Sequence, residues 1–116
     1  MSDLQCAATL YVLGSQAAEP DDLPEETRAA AVWAAPSRSA QGERFARRWG
    51  CVVRVEPGLE VRALPLAAQD PYEEIADQHR GESVLVLPAH PYAGHRADDW
   101  IRVRIDGDGR EVRVLP

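Results

Sequence analysis

The chain contains no lysine: all 13 of its basic residues are arginine, set against 19 aspartates and glutamates. A net charge of −6 and an isoelectric point near 5.0 exclude a general nucleic-acid binder, because neutralising phosphates needs a basic face. Cysteine is scarce as well. Cys6 and Cys51 are the only two, and the N-terminus lacks the charged and apolar pattern of a cleavable leader. Free thiols in a cytoplasmic protein are therefore expected rather than a disulfide. Long hydrophobic runs are missing too, and none approaches the roughly 18 residues of a membrane-spanning helix, so no membrane partner is expected. There are no internal repeats and no low-complexity tail.

What remains is 116 residues, 45% of them hydrophobic, enough for a modest core in a single domain spanning residues 1–116. "AATLYVL" (7–13) is a short, mixed aliphatic and aromatic run ending at Gly14, the pattern of a strand buried on both faces. In "EPDDLPEETRAA", Asp22 followed by Glu25, with Pro24 in the first turn, predicts a helix of about two turns. "AAVWAAP" (30–36) returns to a strand that Pro36 ends. "SRSAQGERFARRWG" predicts a helix with Phe45, Ala46 and Trp49 on one face, Ser37 or Ser39 as cap and Gly50 as its stop. "CVVRV" is a third strand, and the strand, helix, strand order implies parallel pairing through a crossover.

"EPGLEVRALPLAAQ" has no sustained period and reads as loop with at most a helical turn. "DPYEEIADQHRG" (70–81) carries the strongest helix signal, with Asp70 as cap, Pro71 first, Glu73 completing a capping box and Gly81 the stop. "SVLVLP" is a fourth, wholly apolar strand. "WIRVRI" and "REVRVLP", on either side of "DGDG", alternate apolar and charged residues as an antiparallel hairpin does. The expected fold is an α/β three-layer sandwich with a mostly parallel central sheet and a C-terminal antiparallel hairpin.

Four blocks of this order resemble the histidine phosphatase superfamily, the phosphoglycerate-mutase-like fold. "ATLYVLGSQAAE" is similar to its opening strand and turn, "VWAAPSRSAQGERFARRWG" to its second block, "DQHRGESVLVLPAH" to its third, and "VRIDGDGREVRVL" to its closing hairpin. The resemblance implies a phosphate site at the strand ends, with an Arg and a nucleophilic His in the first turn and a second His after the fourth strand. This chain places Gly14, Ser15 and Gln16 in the first turn, and Ala89, with His90 one residue late, after the fourth strand. Arg38 matches the arginine of the second block. The segments that would cover a substrate are short, and Glu56, Glu60 and Glu73 are equal candidates for a general acid, none of which is assigned.

A serine hydroxyl needs an adjacent base before it can attack phosphorus, whereas a neutral imidazole does not. The resemblance therefore implies a non-catalytic binding or regulatory protein with no catalytic residues. It would keep a remnant anion pocket of Gly14, Ser15, Gln16, Arg38 and His90 for a phosphate-bearing small molecule, or serve a protein partner. For Arg38 the alternative is pairing with a carboxylate. For Ser15 and Gln16 it is plain turn chemistry, with Gly14 at positive φ. Two other functions stay open: a divergent phosphatase working through His90, Ser15 and Arg38, and a self-associating module forming a homodimer through an edge strand at 101–105 or 112–115. His90, His95, Asp98 and Asp99 lie close together, but in a Pro/Gly loop without the spacing of a metal site. No metal or cofactor is expected, and the three tryptophans read as packing residues.

Overall fold

The computed structural model describes residues 6–15, 18–23, 27–60, 71–92, 95–96, 98–107 and 109–115. Its elements are β1 (Ala8–Leu13), β2 (Ala31–Ala34), α1 (Ser39–Trp49), β3 (Val52–Val55), α2 (Pro71–Gln78), β4 (Ser83–Leu87), β5 (Trp100–Asp106) and β6 (Gly109–Leu115), with short 3₁₀ turns at Pro20–Asp22, Pro36–Arg38 and Pro57–Leu59. One six-stranded sheet runs in the order β3-β2-β4-β1-β5-β6. β1, β2, β3 and β4 are parallel neighbours, β5 is antiparallel to β1, and β6 is antiparallel to β5. The protein is thus a mixed α/β fold, with two α-helices among the described residues.

Alternation along the strands builds two cores. β4 contributes Val84 and Val86 to one cluster and Leu85 and Leu87 to the other, and β2 divides Ala31 and Trp33 from Val32 and Ala34 in the same way. Phe45 and Ala46 of α1 join the second cluster, while Tyr72, Ile75 and Ala76 of α2 join the first. α1 lies close on the sheet at Gly42, where an added Cβ would stand 3.2 Å from that of Ala34. Gly50 closes α1 at φ 65° in the left-handed region that side chains avoid. Among the described residues, no helix is long and apolar enough to cross a membrane.

The strands expected at 7–13, 30–36 and 51–55, and the closing hairpin, fall where the pattern put them. The helix expected from Asp22 onward does not form over the described residues. Asp22 instead ends the 3₁₀ turn Pro20–Asp22 and accepts from the Glu19 N–H at 2.8 Å, and residues 27–29 are irregular. Pro24 and Glu25 lie outside the described residues, as does Asp70. Neither Ser37 nor Ser39 caps α1, because the 3₁₀ turn begun at Pro36 runs directly into it and makes Arg38 its cap residue. Segment 101–105 belongs to β5, which is interior, so only β6 of the hairpin is an edge. Both cysteines are free.

Candidate functional site

β2, β4 and β1 are neighbours in the sheet, so the turns that leave their C-terminal ends meet. Arg38 follows β2, and its side chain reaches across these ends while only 2% exposed. Nη1 donates to the carbonyl oxygen of Leu13, the last residue of β1, at 2.7 Å, and to that of Pro88, just past β4, at 2.8 Å. Nη2 donates to the Ser15 carbonyl at 2.8 Å and to Gln41 Oε1 at 2.6 Å, and Nε donates to the same Gln41 oxygen at 2.8 Å. A guanidinium has five N–H groups, and all five are taken.

Gln41, one helical turn further on and 5% exposed, completes the closure. Its amide nitrogen donates to the carbonyls of Ser15 and Ala18, both at 3.0 Å. The sequence reading passed over this residue. Its signal was position, since 41 and 45 fall on one face of α1, three and seven residues past its cap residue Arg38, and Phe45 marks that face as buried.

The electrostatics are unusual for a buried arginine. Among the described residues no carboxylate pairs with Arg38, and neutral oxygens alone surround its donors. Burial pulls its pKa well below the usual guanidinium range, down to about 10, partly offset by the negative charge of ionised Tyr72. Arg38 therefore stays charged at neutral pH.

Of the N–H groups at the start of the 3₁₀ turn and α1, where an anion would be welcome, that of Ser37 already has a carboxylate from the chain itself. Glu60 accepts from Ser37 N at 2.8 Å and from Ser37 Oγ at 3.0 Å. Glu60 thus binds beside Arg38, as a cap on the turn.

The remaining expected site residues do not converge on a reactive centre. Ser15 meets Arg38 and Gln41 through its backbone carbonyl. His90 is half-buried and its ring makes no hydrogen bond to a described residue, Ser15 included. Ala89 donates its N–H to the Leu59 carbonyl at 2.9 Å and packs on the core that α2 covers. Gly14 is half-buried and does not adopt the positive φ expected of it. Gln16 lies outside the described residues. In the 90–99 loop, His95 and Asp99 approach at 3.9 Å, but among the described residues no group of three or more His, Cys, Asp or Glu side chains could hold a metal ion.

A second polar arrangement escaped the sequence reading. His79, at the end of α2, is buried between Trp33 and Glu82. Trp33 Nε1 donates to His79 Nε2 at 2.9 Å, and His79 Nδ1 lies 2.9 Å from Glu82 Oε1. Because indole can only donate, Nε2 must be the acceptor and Nδ1 carries the proton toward Glu82. Spacing of i+4 from Ile75 would have put His79 on the buried face. Trp33 thus fills the core as expected and also fixes a histidine tautomer.

No protein-family model matches the chain, and no curated protein does, so the geometry of this site is what its function must be read from.

Proposed function

We propose that the chain is a non-catalytic binding or regulatory protein of histidine-phosphatase-like build. In this reading it is a shortened three-layer α/β/α frame whose phosphate clamp has turned inward. The observation that carries the reading is the use of all five Arg38 N–H groups by Leu13, Ser15, Pro88 and Gln41. A clamp for a phosphoryl group must hold donors in reserve for the equatorial oxygens, and here an anion would gain Arg38 only by displacing a backbone carbonyl or the Gln41 side-chain oxygen.

Further support comes from the residues around it. The His90 ring makes no hydrogen bond to a described residue, Ala89 stands where the resemblance asks for the second imidazole, and the Glu60 carboxylate holds the Ser37 N–H. The parallel strands, the arginine after β2 and the closing hairpin follow in the order that the resemblance implies. With the anion positions taken by the protein's own groups, the frame serves a protein partner rather than a phosphate-bearing small molecule.

The test is hydrolysis of a generic aryl phosphate by the wild type and by the Ser15→Ala and His90→Ala variants, all three verified as folded by circular dichroism. No turnover above buffer is expected from any of them. Turnover by the wild type that either substitution removes would overturn the non-catalytic reading in favour of a divergent phosphatase.

A further inference from the structure

The two edges of the sheet differ. β3 is four residues long, and a short edge offers few free backbone groups. β6 is seven residues long, Gly109–Leu115, and follows the full length of β5. Val112 and Val114 on it are 37% and 50% exposed. They stand opposite Val103 and Ile101, so they extend the buried face of the sheet into solvent. On the other face are Glu111 and Arg113, whose side chains are each 63% exposed and lie 3.9 Å apart.

We infer that β6 pairs antiparallel with β6 of a second copy of this chain about a two-fold axis at Val112. In an antiparallel two-fold pair, directly opposed residues share a face, so the axis must pass through a residue. An axis at Arg110 pairs only residues 109–111 of each strand, and one at Glu111 or Arg113 sets like charges against each other. An axis at Val114 opposes Arg113 to Leu115. At Val112, Glu111 of each copy faces Arg113 of the other, Val112 faces its own counterpart, and Val114 lies against the stem of Arg110, whose head is held inward by Tyr92 and Glu73.

This register also repairs a fault within the hairpin. Arg113 stands directly opposite Arg102 in the β5–β6 pair, and like charges so placed repel. In the pair of copies, Glu111 of the second copy flanks Arg113 on its open side, while each Glu111 lies between Arg104 of its own chain and Arg113 of the other. Each β6 is used once, so the assembly closes as a dimer with one sheet running through both copies. None of this depends on how the Arg38 site is read, and the turnover assay and the test below can fail separately.

Sedimentation velocity from micromolar to millimolar concentration should show a monomer–dimer equilibrium for the wild type. Glu111→Arg and Arg113→Glu, each confirmed as folded by circular dichroism, should each raise the dissociation constant by about tenfold or more, because each turns two opposite-charge cross-strand pairs into like-charge ones. An equimolar mixture of the two variants should dimerise again, since both pairs in the heterodimer regain opposite charges. A wild type that stays monomeric throughout, a Glu111→Arg variant that dimerises as well as the wild type, or a mixture that stays monomeric would each overturn the proposal.

Discussion

Replacing Arg38 by alanine removes five hydrogen bonds at once and leaves the oxygens of Leu13, Pro88 and Gln41 Oε1 without those donors in a region where Arg38 itself is 2% exposed. Burying the charge works in the other direction. A pKa lowered from the usual guanidinium range to about 10 corresponds to a penalty of about 3 kcal/mol for holding the guanidinium charged at neutral pH. The truncation escapes that penalty but strands several neutral acceptors, each costing about 1–3 kcal/mol when left buried and unsatisfied, for a net loss of about 3–5 kcal/mol. For a domain of this size that lowers Tm by about 10–25 °C. Arg38→Lys keeps the charge but supplies three donors without the planar fork, and should fall between wild type and alanine. The internal standard is Arg48→Ala, which breaks a 2.8 Å ion pair to the exposed Asp21 and should cost less than about 1 kcal/mol.

The measurement is chemical denaturation across the acid and neutral range. The folded-state pKa of Arg38 lies below its unfolded value, so the unfolded chain holds this proton more tightly, and the burial penalty is relieved only as pH rises through about 10. Below that, the gap between wild type and Arg38→Lys should be flat. An arginine paired with a carboxylate would instead lose its contribution as pH falls through the carboxylate range. An alanine variant no less stable than Arg48→Ala, or a gap that closes in acid, would refute the closure by neutral oxygens.

Three further outcomes follow from the same structure. Glu60→Gln should lower stability by about 1 kcal/mol, the worth of a charged cap, and should move the Ser37 amide resonance by NMR; an unmoved amide would deny the Ser37–Glu60 contact. His79→Leu leaves the buried Trp33 indole N–H without its acceptor and should cost about 1–3 kcal/mol, with a shifted Trp33 Nε1–H resonance, whereas an unchanged resonance would contradict the Trp33–His79 bond. Burial raises the Cys51 thiol above its ordinary value of 9.0, which suppresses the reactive thiolate. Cys51 should therefore be alkylated more slowly than a small free thiol at mildly alkaline pH, measured by mass spectrometry of the Cys51 peptide.

Much of the fold was legible because its signals are local. Apolar runs bounded by Gly or Pro mark β1, β2 and β4, alternation marks β5 and β6, and Gly50 marks where α1 stops, whereas α2 ends at Gln78, three residues before Gly81. In the segment after β1, a spacing of three is used by Glu19 and Asp22, whose side chain accepts from the Glu19 N–H; Glu25 lies outside the described residues. The site was legible only in part. Arg38 and Glu60 were both noted as side chains, but three of the four residues that Arg38 binds offer backbone carbonyls, which any residue type supplies and no motif records. Gln41 and His79 were overlooked for a related reason: a polar residue on an apolar helical face is visible in the pattern, but some of the partners that fix it, such as Ala18 and Trp33, lie 23 and 46 residues away. The identity of the edge strand likewise depends on β5 lying between β1 and β6, a tertiary fact that the two similar hairpin strands do not reveal.

The inward clamp itself is tested most directly by the side-chain ¹⁵N resonances of Arg38, recorded near neutral pH with and without inorganic phosphate. With every Nη proton held by an oxygen, rotation about the Cζ–N bonds is blocked. Four distinct, slowly exchanging Nη protons and an Nε–H unmoved by phosphate are expected. A single averaged, rapidly exchanging Nη signal, or an Nε–H that shifts saturably as phosphate is added, would contradict it and return Arg38 to the role of an anion ligand.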